Sequence, residues 1–259
     1  MSRSSAQAHK RRRELFALLL RHENISTSEM ALRFRVNPMT IRRDLKLLEE
    51  SGHALRSYGG AVAAQRITFE FAFDQRRRNH LAEKQRIGAA AAAMIEEGQT
   101  LFIDTGTTTL MVAKALARAT AHCTVVTSSL VIASELWTHS SVELVLLGGR
   151  VRQGSPDLVG PGTEMMLDRL TADIAFLGSD GIDLARGSFA GDIEAARVAQ
   201  RMAASARRVV IVADSSKLGV AGAACYMKSE EMQELITDRG ADPSVVAELV
   251  RRGVRVTLV

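Results

Sequence analysis

Cysteine is nearly absent: the 259 residues include only Cys123 and Cys225. Each lies in or beside an apolar stretch, so no disulfide framework and no Cys-x-x-Cys pair can be drawn. Two buried thiols in a reducing compartment are the expectation. Aromatic residues are also few, with two tyrosines and one tryptophan. No uninterrupted apolar run reaches the roughly 18 residues of a membrane span, and no apolar core of signal-peptide length follows the basic N-terminus. A soluble, cytoplasmic protein with no membrane partner is expected. The histidines His9, His22, His53, His80, His122 and His139 show neither HxxxH nor Cys/His ligand spacing, and no GxGxxG or Walker-type run is present. No metal and no cofactor is implied.

What is present is an uneven distribution of charge. The net charge is +5, yet residues 1–66 hold 13 Lys+Arg against 6 Asp+Glu, while the remainder holds 21 against 23. The whole positive excess lies in the first quarter, as expected where that part alone meets a polyanion.

Three helices are predicted there: from Lys10 to His22, from Ser26 to Phe34, and from Asn37 to Gly52. Asn37 is a good N-cap and Pro38 suits the first helical position, where a missing N–H costs nothing. At 100° per residue, Ile41, Leu45 and Leu48 of the third helix share one face, which must pack on the other two helices. Met39, Arg43 and Lys46 fall opposite, with Arg42 beside them, and Asp44 flanks the buried edge where a cation can pair with it. Two short helices joined by a tight turn, the second cationic near its N-terminus, present themselves to DNA as a helix-turn-helix. Arg reads guanine, and Lys or Thr40 holds phosphate. The stretch His53–Val62 then alternates into a Gly59-Gly60 turn carrying Arg56, a hairpin that reads as a wing along the phosphate backbone. The residues expected at double-stranded DNA are Met39, Thr40, Arg42, Arg43, Lys46 and Arg56.

The run VNPMTIRRDLKLLEESGHALRSYGGA resembles the N-terminal signature of the DeoR family of bacterial transcriptional regulators. The matching residues are Thr40 through Leu45, Leu48-Glu49, Gly52, Arg56 and Gly59-Gly60-Ala61. Asn37 stands where the family usually has Ser, and both cap helices.

Residues 67–83 read as a linker containing Phe69, Phe71, Phe73 and the run Arg76-Arg77-Arg78, with a helix from His80 to Glu97 to follow. The arginine run suits a solvated or interdomain face better than phosphate contacts. Beyond Gly98, apolar strand-like runs (TLFID, CTVVT, VELVLLG, DIAFLG, RVVIVAD, RVTLV) alternate with helical segments. Strands apolar throughout and separated by helices predict a mainly parallel, doubly wound sheet over residues 84–259, following a winged helix-turn-helix over residues 1–66: an α/β chain. The last connection, Ser229 to Gly253, is expected to hold two short helices. Trp137, Met165-Met166 and Met202 are expected in the core or at an interface.

In such a sheet ligands bind beyond the carboxyl ends of the strands. Five strand ends carry Gly, Ser/Thr, Asp or Lys: Asp104–Thr109, Thr127–Ser129, Gly148–Arg150, Gly178–Gly181 and Ala213–Gly219. Such residues also make ordinary turns, but five of them on one edge suit a small polyhydroxylated anion. Hydroxyls and N–H groups would hold phosphate, Asp104 and Asp180 sugar hydroxyls, and Lys217 would be the counter-charge.

These stretches are similar to the DeoR-family sensor domain at Asp104, Gly106, Thr107, Thr108, Thr127, Ser129, Gly148-Gly149, Gly160, Phe176, Gly181, Asp214–Lys217 and Thr237-Asp238. Ser128 replaces the usual Asn, and Asp192-Ile193-Glu194 is atypical. The resemblance implies a fold like that of sugar-phosphate isomerases, binding a phosphorylated sugar or polyol without turning it over. The expected effector residues are Asp104, Gly106, Thr107, Thr108, Thr109, Thr127, Ser128, Gly148, Gly149, Asp180 and Lys217. The resulting expectation is a repressor of carbohydrate catabolic genes, a dimer or tetramer because readers of this type bind paired half-sites. The rival reading is an isomerase with a DNA-binding arm, for which Asp104, Asp180 or Glu194 would be the base.

Overall fold

The computed structural model describes residues 11–12, 14–16, 18–19, 25–50, 54–57, 60–63, 73, 76–152 and 155–259. They form two compact units: Met1–Gln75 with Gln153–Ser155, and Arg76–Arg152 with Pro156–Val259.

In the first unit the described residues between 11 and 19 are helical. They are followed by β1 (Ile25–Ser26), α1 (Thr27–Phe34), α2 (Pro38–Glu50), β2 (Ala54–Ser57) and β3 (Gly60–Ala63). Leu15, Phe16, Leu18 and Leu19 form one core with Met30, Ala31, Ile41, Leu45 and Leu48, so the apolar stripe of α2 packs as its periodicity predicts. Ser26 opens α1 with a capping box: its hydroxyl accepts from Glu29 N, and Glu29 in turn accepts from Ser26 N. At the other end Arg35 takes a left-handed conformation (φ 51°), donating to Leu32 O while Val36 donates to Ala31 O. Asn37 Oδ1 then accepts from Met39 N at 2.8 Å and starts α2. Asp44 is buried and paired with Arg11 Nε at 2.6 Å.

β2 and β3 make the expected antiparallel hairpin. Gly60, however, is already a strand residue opposite Ser57, so the connection falls on residues 58–59, outside the described residues. The small sheet has a third strand: β1 pairs with β3 on its far side.

The second unit is built on β4 (Thr100–Ile103), β5 (Cys123–Thr127), β6 (Val142–Leu146), β9 (Ala172–Gly178), β12 (Ala206–Val212), β14 (Glu234–Thr237) and β15 (Arg255–Leu258). They form one seven-stranded sheet in the order β15-β14-β12-β9-β4-β5-β6, parallel at every pairing. The chain winds outward from β4 to β6, returns to β9 on the other side of β4, and continues outward to β15. The direction therefore reverses between β4 and β9. The helices are α3 (Leu81–Ala92), α4 (Thr109–Leu116), α5 (Leu130–Leu136), α6 (Pro161–Leu167), α7 (Ile193–Ala204) and α8 (Pro243–Arg251). α3, α4 and α5 pack in series, whereas α6 packs on α7 and α7 on β9 and β12. Phe102, Phe176 and Ile211 are wholly buried in the sheet.

Several expectations change. The Ser229–Gly253 connection holds a 3-10 turn (Ser229–Glu231), strand β14 and only one α-helix, α8. Glu234, at the head of β14, obscures the strand in the sequence; it is buried because Arg208 on β12 grips it through two bonds of 2.5 and 2.8 Å. A small antiparallel sheet of β10 (Gly181–Asp183), β11 (Gly187–Ala190) and β13 (Ala224–Met227) was not foreseen, nor was the short pair β7 (Arg150–Val151) and β8 (Leu158–Val159). Cys123 is buried as expected, but Cys225 is exposed, because the short strand β13 turns it away from the core. Met202 is fully buried, whereas Trp137 is 72% exposed. Phe73 is buried; Phe69 and Phe71 lie outside the described residues.

Candidate functional site

α2 carries two opposed faces. Ile41, Leu45 and Leu48 are buried, while Met39, Arg42, Arg43 and Lys46 are exposed and Thr40 is half-exposed. Among the described residues neither Arg42 nor Arg43 has a carboxylate within ion-pair distance; Arg42 Nη1 reaches only Met39 Sδ, at 3.7 Å. Lys46 faces Glu50 across 3.7 Å, one turn on. That pair is exposed and weak. Two guanidinium groups near the start of a packed, capped helix, with a hairpin following, can enter a major groove and bond guanine O6 and N7. Arg56 lies on β2, but its side chain is outside the described residues.

At the carboxyl edge of the large sheet, the reversal between β4 and β9 brings two predicted strand ends together. Gly178 N donates to Asp104 Oδ2 at 3.3 Å. Asp104 is buried, and burial pushes its carboxyl up to about 7 against the lowering effect of N–H groups from Thr105 and Gly178. Gly106, at φ 151°, lets the loop after β4 turn into α4, where Thr108 holds the N-cap position without a side-chain cap bond. Thr109 is fully buried and its hydroxyl donates back to Gly106 O at 3.1 Å. Thr127 is also fully buried, donating to Ile103 O at 2.7 Å and accepting from Ser129 N at 3.1 Å. These two threonines shape the strand-end loops and do not line an opening. Thr107 is half-buried, and Ser128 Oγ, almost wholly buried, has no hydrogen-bond partner.

The remaining predicted residues divide. Gly148 and Gly149 lie against α6, where Thr163 Oγ1 donates to Gly148 O at 2.6 Å. A Cβ on Gly149 would fall 2.1 Å from that same Oγ1, so only glycine fits. Asp180 is half-buried and faces Arg76 at 3.8 Å. Lys217 is half-buried on the 3-10 turn Ser215–Lys217, which Asp214 caps by accepting from Ser216 N.

Several residues at this edge escaped sequence reasoning. Arg152, mostly buried, grips Asp157 at 2.9 Å and also Asp192, the residue that caps α7. Arg150 pairs with Glu194. The atypical Asp192-Ile193-Glu194 run thus receives two arginines from the opposite loop. Tyr226 Oη donates to Gly178 O at 2.8 Å and lies 2.8 Å from Ser188 Oγ, which ties the small sheet to the end of β9. Lys84 on α3 is buried, and its ammonium stands 3.6 Å from Asp214 Oδ2. Spacing along the chain gives no sign of it, since its partner lies more than a hundred positions on.

Comparison with known proteins agrees with both halves. A model of the DeoR C terminal sensor domain matches residues 79–239, and one of the DeoR-like helix-turn-helix domain matches residues 11–66. The chain belongs to the DeoR family. Along its whole length it is 31% identical to the putative aga operon transcriptional repressor of Escherichia coli O157:H7, covering 99% of that protein. It is 33% identical to the HTH-type transcriptional regulator GlpR of Haloferax volcanii, over 95% of this chain and 96% of the relative. Over 75% of this chain and 77% of the relative, it is 34% identical to the glycerol-3-phosphate regulon repressor of Escherichia coli strain K12. Among solved structures, the ribose 5-phosphate isomerase A of Methanocaldococcus jannaschii gives a TM-score of 0.41 at 17% identity, over 54% of this chain and 55% of that one. As a DeoR-family member the protein is a DNA-binding transcriptional regulator with a sensor domain. Among the described residues, no helix is long and apolar enough to cross a membrane.

Proposed function

We propose that this DeoR-family protein represses carbohydrate catabolic genes and releases its operator when a phosphorylated sugar or polyol binds the sensor unit. Residues 1–66 are the DNA-binding domain, 67–83 the link and 84–259 the sensor. Met39, Thr40, Arg42, Arg43 and Lys46 face the operator from α2, and Arg56 meets the backbone from the hairpin. The protein works as a homo-oligomer on paired half-sites in the cytoplasm, and turns nothing over.

One observation supports the effector reading: at the reversal between β4 and β9, Gly178 N at the end of β9 donates to Asp104 at the end of β4, next in the chain to the loop opening α4. Such reversals are where open α/β sheets bind ligands. Asp104 and Asp180 would accept sugar hydroxyls. The N–H groups of the Gly106, Thr107 and Thr108 loop, with Ser128 and Lys217, would hold phosphate. Thr109 and Thr127 keep the loops in shape, and Gly148-Gly149 closes the neighbouring turn. The names of the relatives support this choice, since one is a repressor for a glycerol-3-phosphate regulon and another for the aga operon.

Thermal-shift screening of the full chain against phosphorylated sugars and polyols, each beside its unphosphorylated counterpart, tests the proposal. Stabilisation by phosphorylated forms alone is expected, and equal response to both would remove phosphate recognition. Lys217→Ala should bind operator normally yet fail to release it; retained release would move the site elsewhere. Aldose–ketose conversion of any sugar phosphate by the protein would replace the regulatory reading with the enzymatic one.

A further inference from the structure

Lys84 spends its ammonium entirely inside the protein. It donates to Arg76 O and Asn79 O, both at 2.7 Å, and faces Asp214 Oδ2 at 3.6 Å. The first two acceptors belong to the segment with which the sensor unit begins, directly after Gln75, where the long N-terminal stretch of the DNA-binding unit ends. The third belongs to the turn that carries Lys217. A second link joins the same two places: the Arg76 guanidinium lies 3.8 Å from Asp180 Oδ1. The segment Arg76–Asn79 is therefore held at both ends by strand-end carboxylates, Asp180 through its side chain and Asp214 through Lys84.

These links respond to charge. Burial disfavours the Lys84 ammonium, Asp214 opposes that effect, and the positive charges of Lys217 and Arg76 add to the burden. Asp214 Oδ2 is buried and accepts no hydrogen bond. An anion beside Lys217 relieves the repulsion that Lys84 feels and competes with Asp180 for the half-exposed Arg76. The site therefore interacts differently with this segment when empty and when filled, and a ligand needs such a difference to shift an equilibrium.

We propose that Lys84 and Arg76 are positioning residues that transmit occupancy of the strand-end site to the Arg76–Asn79 segment, and through it to the chain leading to the DNA-binding unit. The inference rests on the effector reading above for its ligand, but not for its mechanical part.

Two measurements on the full chain test it. The first is hydrogen exchange without ligand. Lys84→Met should raise exchange of the amides of residues 76–84 at least tenfold while the β4 and β9 amides stay protected, and Lys84→Arg should lie between that variant and wild type. Unchanged exchange at 76–84 overturns the anchoring. Arg76→Ala, at an exposed side chain, covers the case in which Lys84→Met does not fold, and should raise exchange in the same segment.

The second is operator affinity, on a duplex selected in vitro, with and without glycerol 3-phosphate and D-fructose 6-phosphate. Wild type should lose at least tenfold in affinity with whichever sugar phosphate binds it. Arg76→Ala and Lys84→Met should hold operator within about threefold of wild type and still bind that compound by calorimetry, yet show a ratio near one. A wild-type ratio in either variant overturns transmission, and so does loss of sugar-phosphate binding along with the response, which would make these residues ligands. If wild type binds neither compound, the choice of effector fails while hydrogen exchange still decides the anchoring.

Discussion

The two units place their polar residues in opposite ways. On α2 the side chains proposed to meet DNA stand in solvent, on a face the core does not use. At the sheet edge, Asp104, Thr108, Thr127, Ser128 and Asp214 are buried, Asp104, Thr127 and Asp214 are tied to other strand ends or helices, and a carboxyl is pushed far from its ordinary pKa. A DNA contact must be offered to a large polyanion arriving from outside. A small-molecule site must be preorganised before the ligand arrives, and burial makes each charge in it expensive. Changes at the sheet edge should therefore alter stability first, and changes on α2 should alter binding alone.

The largest expected effect is at Asp104. Its carboxyl titrates at about 7 in the folded protein, against 3.8 without burial. Between those values the folded state keeps a proton that the unfolded chain has lost, so stability falls as pH rises from about 4 to about 7. Asp104→Asn should remove that dependence. At pH 8 it should gain stability on the order of 4 kcal/mol as an upper bound, from about 1.4 kcal/mol per tenfold of proton affinity. Below pH 4 it should match wild type. Denaturant melts across the pH range would show it, and a loss of stability at pH 8 instead would mean Asp104 is ionised and paired.

Arg43→Ala is the contrasting case. Removing one groove-facing guanidinium should cost about 1–3 kcal/mol of operator affinity and relax base preference at one position. The melting curve should not move, because the side chain is exposed. Full sequence-specific binding by the variant would show that Arg43 faces away from the groove.

The same contrast governs what the sequence could disclose. The faces of α2 follow from 3.6-residue periodicity, which is local, so Ile41, Leu45 and Leu48 were readable as core and Asp44 as a buried partner, found here with Arg11. The parallel sheet was equally readable, because its strands are apolar throughout. What stayed hidden depends on distant pairs: β14 starts with a Glu that is buried beside Arg208 and Arg255, and Lys84 is an ordinary helix lysine until Asp214 is brought beside it. The hydroxyls of Thr109 and Thr127 look like ligand donors in sequence, but backbone carbonyls take them in the fold.

The smallest effect tests whether the DNA-binding unit tolerates a purely structural change. Arg35 ends α1 at φ 51° and ψ 46°, a conformation in which a Cβ crowds the following carbonyl and costs about 1–2 kcal/mol. Its backbone makes the helix-ending bond to Leu32 O, and its side chain is exposed. Glycine removes the crowding but loses more freedom on folding, which returns about 0.5–1 kcal/mol. Arg35→Gly should therefore stabilise the turn into α2 by about 0.5–1 kcal/mol, read as slower exchange of the Arg35-position and Val36 amides. The variant also loses one exposed cation just before Asn37, so operator binding should weaken slightly at low salt and recover its wild-type value as salt screens that charge. If affinity drops equally at all salt concentrations, the arginine makes a specific contact. α2 would then share its reading face with the turn that precedes it.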